Sequence, residues 1–308
     1  METFDLIIIG AGPAGLSASI YASRYGIRHL VVGEVTGGLM TQTFEIGNWL
    51  GTENITGQEF SDAAAAHVKS YGAQIRPAIV TNIAPQADGG FVLSLADGKE
   101  LSAKTLLSAT GTHHRYLDIP GEKELAGKGV SYCPTCDGFF FKNKVVAIAG
   151  GGDSAAEAGA YLSNICSKVY IVVRGAEMRA EKFWKDLVQK KENVEVIFET
   201  NIVEIKGETR IDDLVLDKAY QGSKTLKADG LFVEIGLTPN TAFLKDMGVG
   251  LDEQGYVKVS PDQSTNIQGL WAAGDATTSS NHFRQIVTAA SEGAIAANSI
   301  LQHLQRGE

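Results

Sequence analysis

The stretch FDLIIIGAGPAG, residues 4–15, contains the pattern that decides the fold of this chain. An apolar run of strand length ends at Gly10, and Gly12 and Gly15 complete a GxGxxG loop ahead of a helix-like run. The first glycine of such a loop makes the turn, the second lets the backbone approach a pyrophosphate, and the third lets helix and strand pack closely. The next strand-like run, HLVV, leads to Glu34, where an acid accepts hydrogen bonds from ribose hydroxyls. The stretch therefore predicts a dinucleotide site, with a purely structural glycine turn as the alternative.

A second stretch, KVVAIAGGGDSA at residues 144–155, repeats this arrangement. Its GxGxxA loop contains Gly150, Gly152 and Ser154, and the following run KVYIVV leads to Arg174, at the position equivalent to Glu34. An acid there suits free ribose hydroxyls and repels a 2′-phosphate, whereas an arginine suits that phosphate. The first loop is thus typical of an FAD site and the second of an NADPH site.

Two further segments have the composition of a buried strand that runs into a small-residue turn. They are TLLSATG, which ends at Gly111, and GLWAAGD, whose Asp275 could face the ribityl and phosphate region of a flavin. If both belong with the first loop, residues 1–115 and 244–308 form a split FAD-binding domain around a central NAD(P)H-binding-like domain at 116–243. We therefore predict an α/β fold of two Rossmann-like nucleotide-binding domains, the central one inserted into the split FAD domain. Either segment could instead be an ordinary buried strand with a turn.

Length, charge and composition narrow the function. A chain of 308 residues has room for two domains at roughly 100 to 200 residues each. The formal net charge of −9 opposes the basic face that a nucleic-acid binder needs, so we expect no nucleic-acid partner. The start of the chain is acidic where a signal peptide is basic, and every apolar run is shorter than the roughly 18 residues of a membrane span. We therefore expect a cytoplasmic protein with no membrane partner.

The stretch SYCPTCDGFF, residues 131–140, places a CxxC pair between the two glycine loops. In a reducing compartment such a pair is more often redox-active or metal-binding than structural. Zinc needs four ligands, and the sequence offers neither a second CxxC nor two suitably spaced histidines, so we predict no metal. A flavin can accept a hydride and pass the electron pair to a disulfide, so the candidate catalytic residues of an electron relay are Cys133, Cys136 and Asp137. Zinc ligation and two packed structural thiols remain the alternatives.

The chain resembles the low-molecular-weight thioredoxin reductases over nearly its whole length. The motifs that carry the resemblance stand in the order of that family: GAGPAG, GNWLG at 47–51, ATG at 109–111, CPTCDGFF, GGGDSA, RAEK at 179–182, GLFVEIGLTPNT at 230–241, WAAGD at 271–275 and FRQ at 283–285. The CxxCDG motif is highly specific for this group. The resemblance implies a homodimeric disulfide reductase that passes electrons from a reduced donor through FAD and a cysteine pair to thioredoxin or a similar protein disulfide.

The same resemblance implies roles for individual residues. Cys136 would lie against the flavin, Cys133 would attack thioredoxin, and Asp137 would serve as the acid–base. The residues that would contact FAD are Asn48, Asp275, Arg284 and Gln285. Phe139 and Phe140 match residues that help to dock thioredoxin in the family, although GFFF could equally be a buried apolar run.

One motif departs from the family. The family's 2′-phosphate signature HRRxxxR aligns with VRGAEMR at residues 173–179, where Arg174 and Arg179 remain but Gly175 and Val173 replace an arginine and the histidine. The loss of one guanidinium predicts poor discrimination in favour of NADPH. Two alternatives therefore stay open: a related flavoenzyme that takes electrons from NADH, ferredoxin or another carrier, and a non-enzymatic protein whose flavin and CxxC sense redox state.

Overall fold

The structure is a computed structural model that describes residues 1–42, 46–53, 55–86 and 89–306, without the side chains of Gln42 and Cys136. The chain divides into two units, Met1–His113 with Thr238–Glu308, and His114–Leu237. The first unit is therefore split, and the second is inserted into it. Residues 237–239 form a strand that pairs with residues 112–114 where the chain returns to the first unit.

The first unit begins with a β–α–β arrangement around the Gly10 loop. Its elements up to the first crossing are β1 (Glu2–Ile9), α1 (Pro13–Arg24), β2 (His29–Val32), α2 (Gly57–Ser70), β3 (Gln74–Arg76), β4 (Val80–Pro85), β5 (Phe91–Leu95), β6 (Glu100–Ser108) and β7 (Thr112–His114). The second half of β1 is fully apolar and buried, as parallel strands covered on both faces require. Pro13 begins α1, where its missing N–H needs no partner, and Thr56 caps α2 through a capping box with Glu59.

The inserted unit contains a second β–α–β arrangement and a small antiparallel sheet. Its elements are β8 (Val130–Ser131), α3 (Pro134–Asp137), β9 (Val145–Ala149), α4 (Asp153–Leu162), β10 (Lys168–Val172), α5 (Lys182–Gln189), β11 (Val194–Ile197), β12 (Ile202–Lys206), β13 (Asp213–Tyr220), β14 (Ser223–Leu226) and β15 (Gly230–Val233). Parallel strands form a sheet in the order β11–β10–β9–β15–β8, and β12, β13 and β14 form the antiparallel sheet. The Gly150 loop follows β9, so it lies at the carboxyl end of a central strand, where such sheets bind ligands.

The chain returns to the first unit through β16 (Leu237–Pro239), which pairs with β7, and continues as α6 (Ala242–Lys245), β17 (Leu270–Ala272) and α7 (Ile286–Arg306). The sheet of this unit has the order β3–β2–β1–β6–β5–β4, and β17 pairs with β6 in parallel. Strands β1, β2, β3 and β6 are parallel, whereas β4 and β5 add antiparallel pairs. The predicted α/β class, with two Rossmann-like domains and the central one inserted into a split first domain, is confirmed.

Helix α7 packs directly on α1 beside the Gly10 loop. A Cβ on Gly293 of α7 would lie 2.0 Å from the carbonyl oxygen of Ala14, so only glycine permits this approach. Small side chains such as Ala18 and Ala296 fill the rest of the contact and are buried. The last helix of the chain thus completes the first loop's surroundings. Within the described ranges, no helix combines the length and the apolar content that a bilayer span requires.

Candidate functional site

The Gly10 loop has the geometry of a dinucleotide cradle. Gly10 has φ +111°, and a Cβ on it would lie 2.1 Å from the carbonyl oxygen of Ala109. A Cβ on Gly15 would lie 1.9 Å from the carbonyl oxygen of Gly10, so both residues are required by the fold itself. Around Gly12, by contrast, the nearest described atom to a Cβ is the oxygen of Gly37, at 3.9 Å. This space lies at the N-terminus of α1, whose free N–H groups suit a pyrophosphate.

The Gly150 loop repeats the same division of roles in the inserted unit. Gly150 has φ +152°, and a Cβ there would lie 2.1 Å from the carbonyl oxygen of Glu234. No described heavy atom lies within 4 Å of a Cβ on Gly152, and α4 begins at the next residue. Ser154 is exposed on the first turn of α4. The loop is therefore open at the position where a pyrophosphate would approach the backbone.

The two positions that the sequence predicts to bind ribose differ in sign and are both exposed. Glu34 follows β2, and Arg174 follows β10 after one buried residue. The backbone N–H of Arg179 donates to the carbonyl oxygen of Gly151 at 2.6 Å, which brings the second arginine of the VRGAEMR segment to the glycine loop. The structure thus brings Arg174, Arg179 and the loop together at one edge of the sheet.

Val173 and Gly175 show what the departure from HRRxxxR does. The Val173 side chain is buried, and its Cγ1 lies 2.7 Å from where a Cβ on Gly151 would be, so it packs beneath the loop as core. Gly175 is exposed, and its carbonyl oxygen accepts a hydrogen bond from the backbone N–H of Glu199 at 2.9 Å. An exposed acidic residue, Glu199, therefore lies beside the position where the family has an arginine.

In the first unit, Asn48 and Gln285 are brought together although they are far apart in the chain. The amide of Asn48 donates to Oε1 of Gln285 at 2.9 Å. The ATG turn is held in the same unit: the N–H of Asn240 donates to the oxygen of Gly111 at 2.9 Å, and its side-chain amide donates to the oxygen of Thr110 at 2.9 Å. Gly111 has φ +62°, a conformation that favours glycine at this turn.

Asp275 and Arg284 form the polar part of this region. Burial raises the pKa of Asp275 to about 6, and the Arg284 guanidinium opposes that shift. The guanidinium lies over the ring of Tyr256 at 4.3 Å, and its Nη2 is 3.0 Å from Nδ1 of His282. The buried Nε of Arg284 has no hydrogen-bond partner in the described part of the chain. A half-buried carboxyl and an unpaired guanidinium N–H are polar groups that a cofactor with hydroxyls and phosphates could satisfy.

Glu292 of α7 is a polar residue that the sequence analysis missed. It is buried, and its Oε2 accepts a hydrogen bond from the N–H of Gly274 at 2.7 Å. Its Oε1 accepts from the hydroxyl of Ser280 at 2.5 Å. Glu292 thus braces the loop that carries Asp275. A lone glutamate in the alanine-rich helix α7 was the only signal of this role in the sequence.

The CxxC segment forms the short helix α3 directly after β8. Cys133 is disulfide-bonded, whereas Cys166 carries a free thiol. The Cys166 thiol is buried, and burial raises its pKa to about 11. The side chain of Cys136, the other predicted redox cysteine, lies outside the described residues. The Cys133 Sγ is 3.4 Å from Oγ1 of Thr135. The disulfide at Cys133 excludes the alternative of two packed free thiols.

Asp137 and Cys133 are joined through the hydroxyl of Ser131. That hydroxyl donates to Oδ2 of Asp137 at 2.6 Å and accepts from the N–H of Cys133 at 3.1 Å. The N–H of Asp137 in turn donates to the carbonyl oxygen of Cys133 at 3.1 Å. A carboxylate is therefore held at a fixed place relative to the disulfide, as acid–base chemistry requires. No motif in the sequence pointed to Ser131.

A second buried glutamate, Glu122, holds Tyr132, the residue before Cys133. Glu122 accepts hydrogen bonds from the N–H groups of Leu117 and Asp118 at 2.9 and 2.7 Å. It also accepts one from the Tyr132 hydroxyl at 2.9 Å. Burial, followed by the Glu122 carboxylate, raises the pKa of Tyr132 well above its usual range, so the hydroxyl stays protonated as a donor. Glu122 thus joins the start of the inserted unit to the side chain of Tyr132, the residue before Cys133.

The three phenylalanines of GFFF differ in exposure. Phe139 and Phe140 are 71% and 70% exposed, whereas Phe141 is buried against Phe232. Only Phe141 therefore belongs to the core. Two adjacent exposed aromatic side chains next to the redox segment are available for contact with another protein.

Three comparisons relate the chain to known proteins. A family model described as pyridine nucleotide-disulphide oxidoreductase matches residues 4–293. A thioredoxin reductase of Listeria innocua serovar 6a is 37% identical over 307 residues, which cover 99% of this chain and 95% of that protein. The crystal structure of a Lactococcus lactis thioredoxin reductase matches with a TM-score of 0.90 and 36% identity, covering 98% of this chain and 99% of the other. The T. acidophilum thioredoxin reductase structure matches with a TM-score of 0.87 and 37% identity over 98% and 99% of the two chains.

Proposed function

This chain belongs to the pyridine nucleotide-disulphide oxidoreductase family, and within it to the low-molecular-weight thioredoxin reductases, and we propose that it reduces the disulfide of thioredoxin with electrons that pass through FAD and its own cysteine pair. It is an oxidoreductase and a flavoprotein, and the non-enzymatic sensor is not favoured. The observation that carries the proposal is the disulfide at Cys133 beside the held carboxylate of Asp137, in a chain with two open dinucleotide loops.

FAD fits the first unit. Its pyrophosphate would approach Gly12, and its adenosine ribose hydroxyls would bind Glu34. Asp275 and the unpaired Nε of Arg284 offer polar groups to the ribityl and phosphate part. The remaining residues assigned to FAD are Gly10, Gly15, Asn48, Gly111 and Gln285. When bound, FAD supplies a carrier that links two-electron transfer from a nicotinamide to the reduction of a disulfide.

The residues of the CxxC segment perform the exchange with thioredoxin. We assign Cys136 to the flavin side and Cys133 to the attack on thioredoxin. The thiolate is the reactive form of a cysteine, so a nearby group must take and return protons during the exchange. Asp137 fills this role because its carboxylate is held beside Cys133 through Ser131. Phe139 and Phe140 would contact thioredoxin, since both are exposed next to this segment.

Membership of the family implies a pyridine nucleotide as the electron donor. We assign its pyrophosphate to the loop of Gly150 and Gly152, with Ser154 on the first turn of α4, and its adenosine ribose to Arg174 and Arg179. Because Val173 is core and Gly175 has no side chain, only two of the family's basic groups remain to bind a 2′-phosphate. We therefore propose weak discrimination between NADPH and NADH. Resemblance to the family also supports a homodimer in the cytoplasm.

The function is tested by anaerobic flavin reduction. The protein should purify yellow, release FAD on heating, and be reduced by NADPH and NADH at rates that differ far less than a thousandfold. The variant Gly175→Arg should raise the NADPH preference about tenfold to a hundredfold, since one charge-assisted hydrogen bond contributes roughly 1.5 to 3 kcal/mol. A folded protein that takes up no FAD would disprove the proposal. Reduction by reduced ferredoxin but by neither nucleotide would change the donor and leave the disulfide chemistry standing.

A further inference from the structure

We propose that Ser131 is the positioning residue that holds Asp137 in both of its protonation states while thioredoxin is reduced. This inference rests on the function proposed above and adds a residue to its proton pathway. We assign Ser131 no contact with thioredoxin or FAD. It acts through Asp137, the acid–base of the exchange.

The geometry places one hydroxyl between the two reacting parts of the segment. Ser131 is the last residue of β8 and is only 5% exposed, so water has little access to the hydroxyl. Its Oγ lies 2.6 Å from Oδ2 of Asp137, 3.1 Å from the N–H of Cys133 and 3.3 Å from the carbonyl oxygen of Cys133. The N–H can only donate and the carbonyl can only accept. The position of the hydroxyl proton is therefore what adapts to the state of Asp137.

A hydroxyl at this place can serve either form of the carboxyl group. When Asp137 is ionised, the Ser131 O–H donates to Oδ2, which is the shortest of the three contacts. When Asp137 is protonated, its own O–H can donate to Ser131 Oγ, and the serine proton can turn to the carbonyl oxygen of Cys133. Both arrangements leave the buried groups with partners and require no movement of heavy atoms. A residue with only donors or only acceptors could satisfy just one of them.

The exchange requires Asp137 to change state repeatedly. The Cys133 thiolate attacks one sulfur of the thioredoxin disulfide: a bond forms between these sulfurs, the thioredoxin disulfide breaks, and the departing sulfur takes the proton of Asp137. Cys136 then gives its proton to Asp137 and attacks the Cys133 sulfur. The enzyme disulfide forms again, and the second thioredoxin sulfur departs and takes this proton. Two electrons have passed from the cysteine pair to thioredoxin, and Asp137 has lost, gained and lost one proton.

The test compares Ser131→Ala with Ser131→Thr in the FAD-loaded, full-length protein. Alanine removes the hydroxyl, whereas threonine keeps it and is well tolerated in a strand. We expect Ser131→Ala to lower kcat for thioredoxin reduction about tenfold to a hundredfold, the factor that matches one hydrogen bond to a charged group. KM for thioredoxin should stay within about twofold, because Ser131 takes no part in docking. Ser131→Thr should recover most of the loss.

Ser163→Ala is the matched control. Ser163 is a buried serine of the same unit whose hydroxyl donates to a backbone carbonyl, that of Ala160 at 2.7 Å. Its loss should lower the melting temperature without changing kcat. If Ser131→Ala and Ser163→Ala affected kcat equally, the effect at Ser131 would be general destabilisation and the proposal would be wrong.

The dependence on Asp137 is tested in the background of Asp137→Asn. Asparagine keeps the shape of aspartate but cannot take up or release a proton. Ser131→Ala should therefore lower the residual kcat by less than about threefold in this background. A full tenfold effect in both backgrounds would show that Ser131 acts independently of Asp137. This comparison shows whether Ser131 acts through Asp137 even if threonine does not fit at position 131.

The proposed function can fail separately from this inference. If the unmodified protein reduces neither thioredoxin nor the small disulfide 5,5′-dithiobis(2-nitrobenzoate) with any donor or after reduction by dithionite, the proposed function is wrong. Melting temperatures of the unmodified protein, Ser131→Ala, Asp137→Asn and the double variant then test the link between Ser131 and Asp137. Ser131→Ala should lower the melting temperature by about 2 to 4 °C more in the unmodified background than with Asp137→Asn. Equal decreases would refute the link between the two residues.

Discussion

Replacing Gly152 with alanine separates nucleotide binding from folding in the inserted unit. Gly152 has φ −95° and ψ −170°, an extended conformation that alanine adopts without strain. Over the described ranges, no heavy atom lies within 4 Å of the added Cβ. The free energy of unfolding should therefore change by less than about 0.5 kcal/mol, or rise by up to about 1 kcal/mol because the unfolded chain loses freedom.

The same methyl group occupies the space that a pyrophosphate needs. If it removes one hydrogen bond between the backbone and the charged pyrophosphate, binding weakens by roughly 1.5 to 3 kcal/mol, which is about a tenfold to hundredfold loss. We expect the rate of flavin reduction at low NADH or NADPH concentration to fall by this factor. Reduction by dithionite, which does not use the nucleotide loop, should be unchanged.

Gly150→Ala is the control with the opposite expectation. At φ +152° an alanine is strained, and its Cβ would lie 2.1 Å from the carbonyl oxygen of Glu234, so the loop must shift and the melting temperature must fall. Stopped-flow flavin absorbance and thermal melts of the two variants provide the comparison. If Gly152→Ala were stable and reduced by either nucleotide as fast as the unmodified protein, the pyrophosphate would not bind at this loop.

Three further predictions concern the other parts of the site. Burial, followed by the nearby Glu157, raises the pKa of Glu234 to about 8. The protonated Glu234 side chain therefore stabilises the folded state fully below about pH 4.5, and this stabilisation is lost as the pH rises through about 8. Glu234→Gln should therefore raise the melting temperature at pH 9 but not at pH 4, and equal shifts at both would contradict the burial argument. Cys133→Ser should leave a thiolate that gives a long-wavelength charge-transfer band with the flavin, and Cys136→Ser should abolish it; the reverse spectra would exchange the two roles. Glu292→Ala leaves the N–H of Gly274 without its acceptor, so it should lose FAD on gel filtration faster than Glu292→Gln, and identical retention by the two would show that the carboxylate does not brace the loop.

The parts of the site that depend on local backbone chemistry were predictable from the sequence. The roles of Gly10 and Gly150 follow from spacing alone, because a tight turn between strand and helix has few alternatives to glycine. The doubly repeated strand–loop–helix pattern gave the fold class for the same reason. The exposure of Phe139 and Phe140 was not decided by their sequence, since the adjacent Phe141 is core.

The buried polar contacts could not be predicted in this way. Ser131 and Asp137 lie six positions apart, and the turn of α3 decides that their side chains meet. Glu122 reaches Tyr132 across a loop, and Glu292 reaches Gly274 from a different element. Such partners are specified by tertiary packing, whereas a single sequence shows only that each residue is polar.

Electron counting is the most direct test of the relay from the nucleotide to thioredoxin. Under anaerobic conditions, limiting NADH or NADPH is mixed with a catalytic amount of the protein and an excess of oxidised thioredoxin, and new thioredoxin thiols are titrated. A relay through FAD and the disulfide at Cys133 predicts two thiols for each nucleotide oxidised over many turnovers, with none formed by Cys133→Ser or Cys136→Ser. Oxidation of the nucleotide without new thioredoxin thiols, or full turnover by either cysteine variant, would rule out this relay.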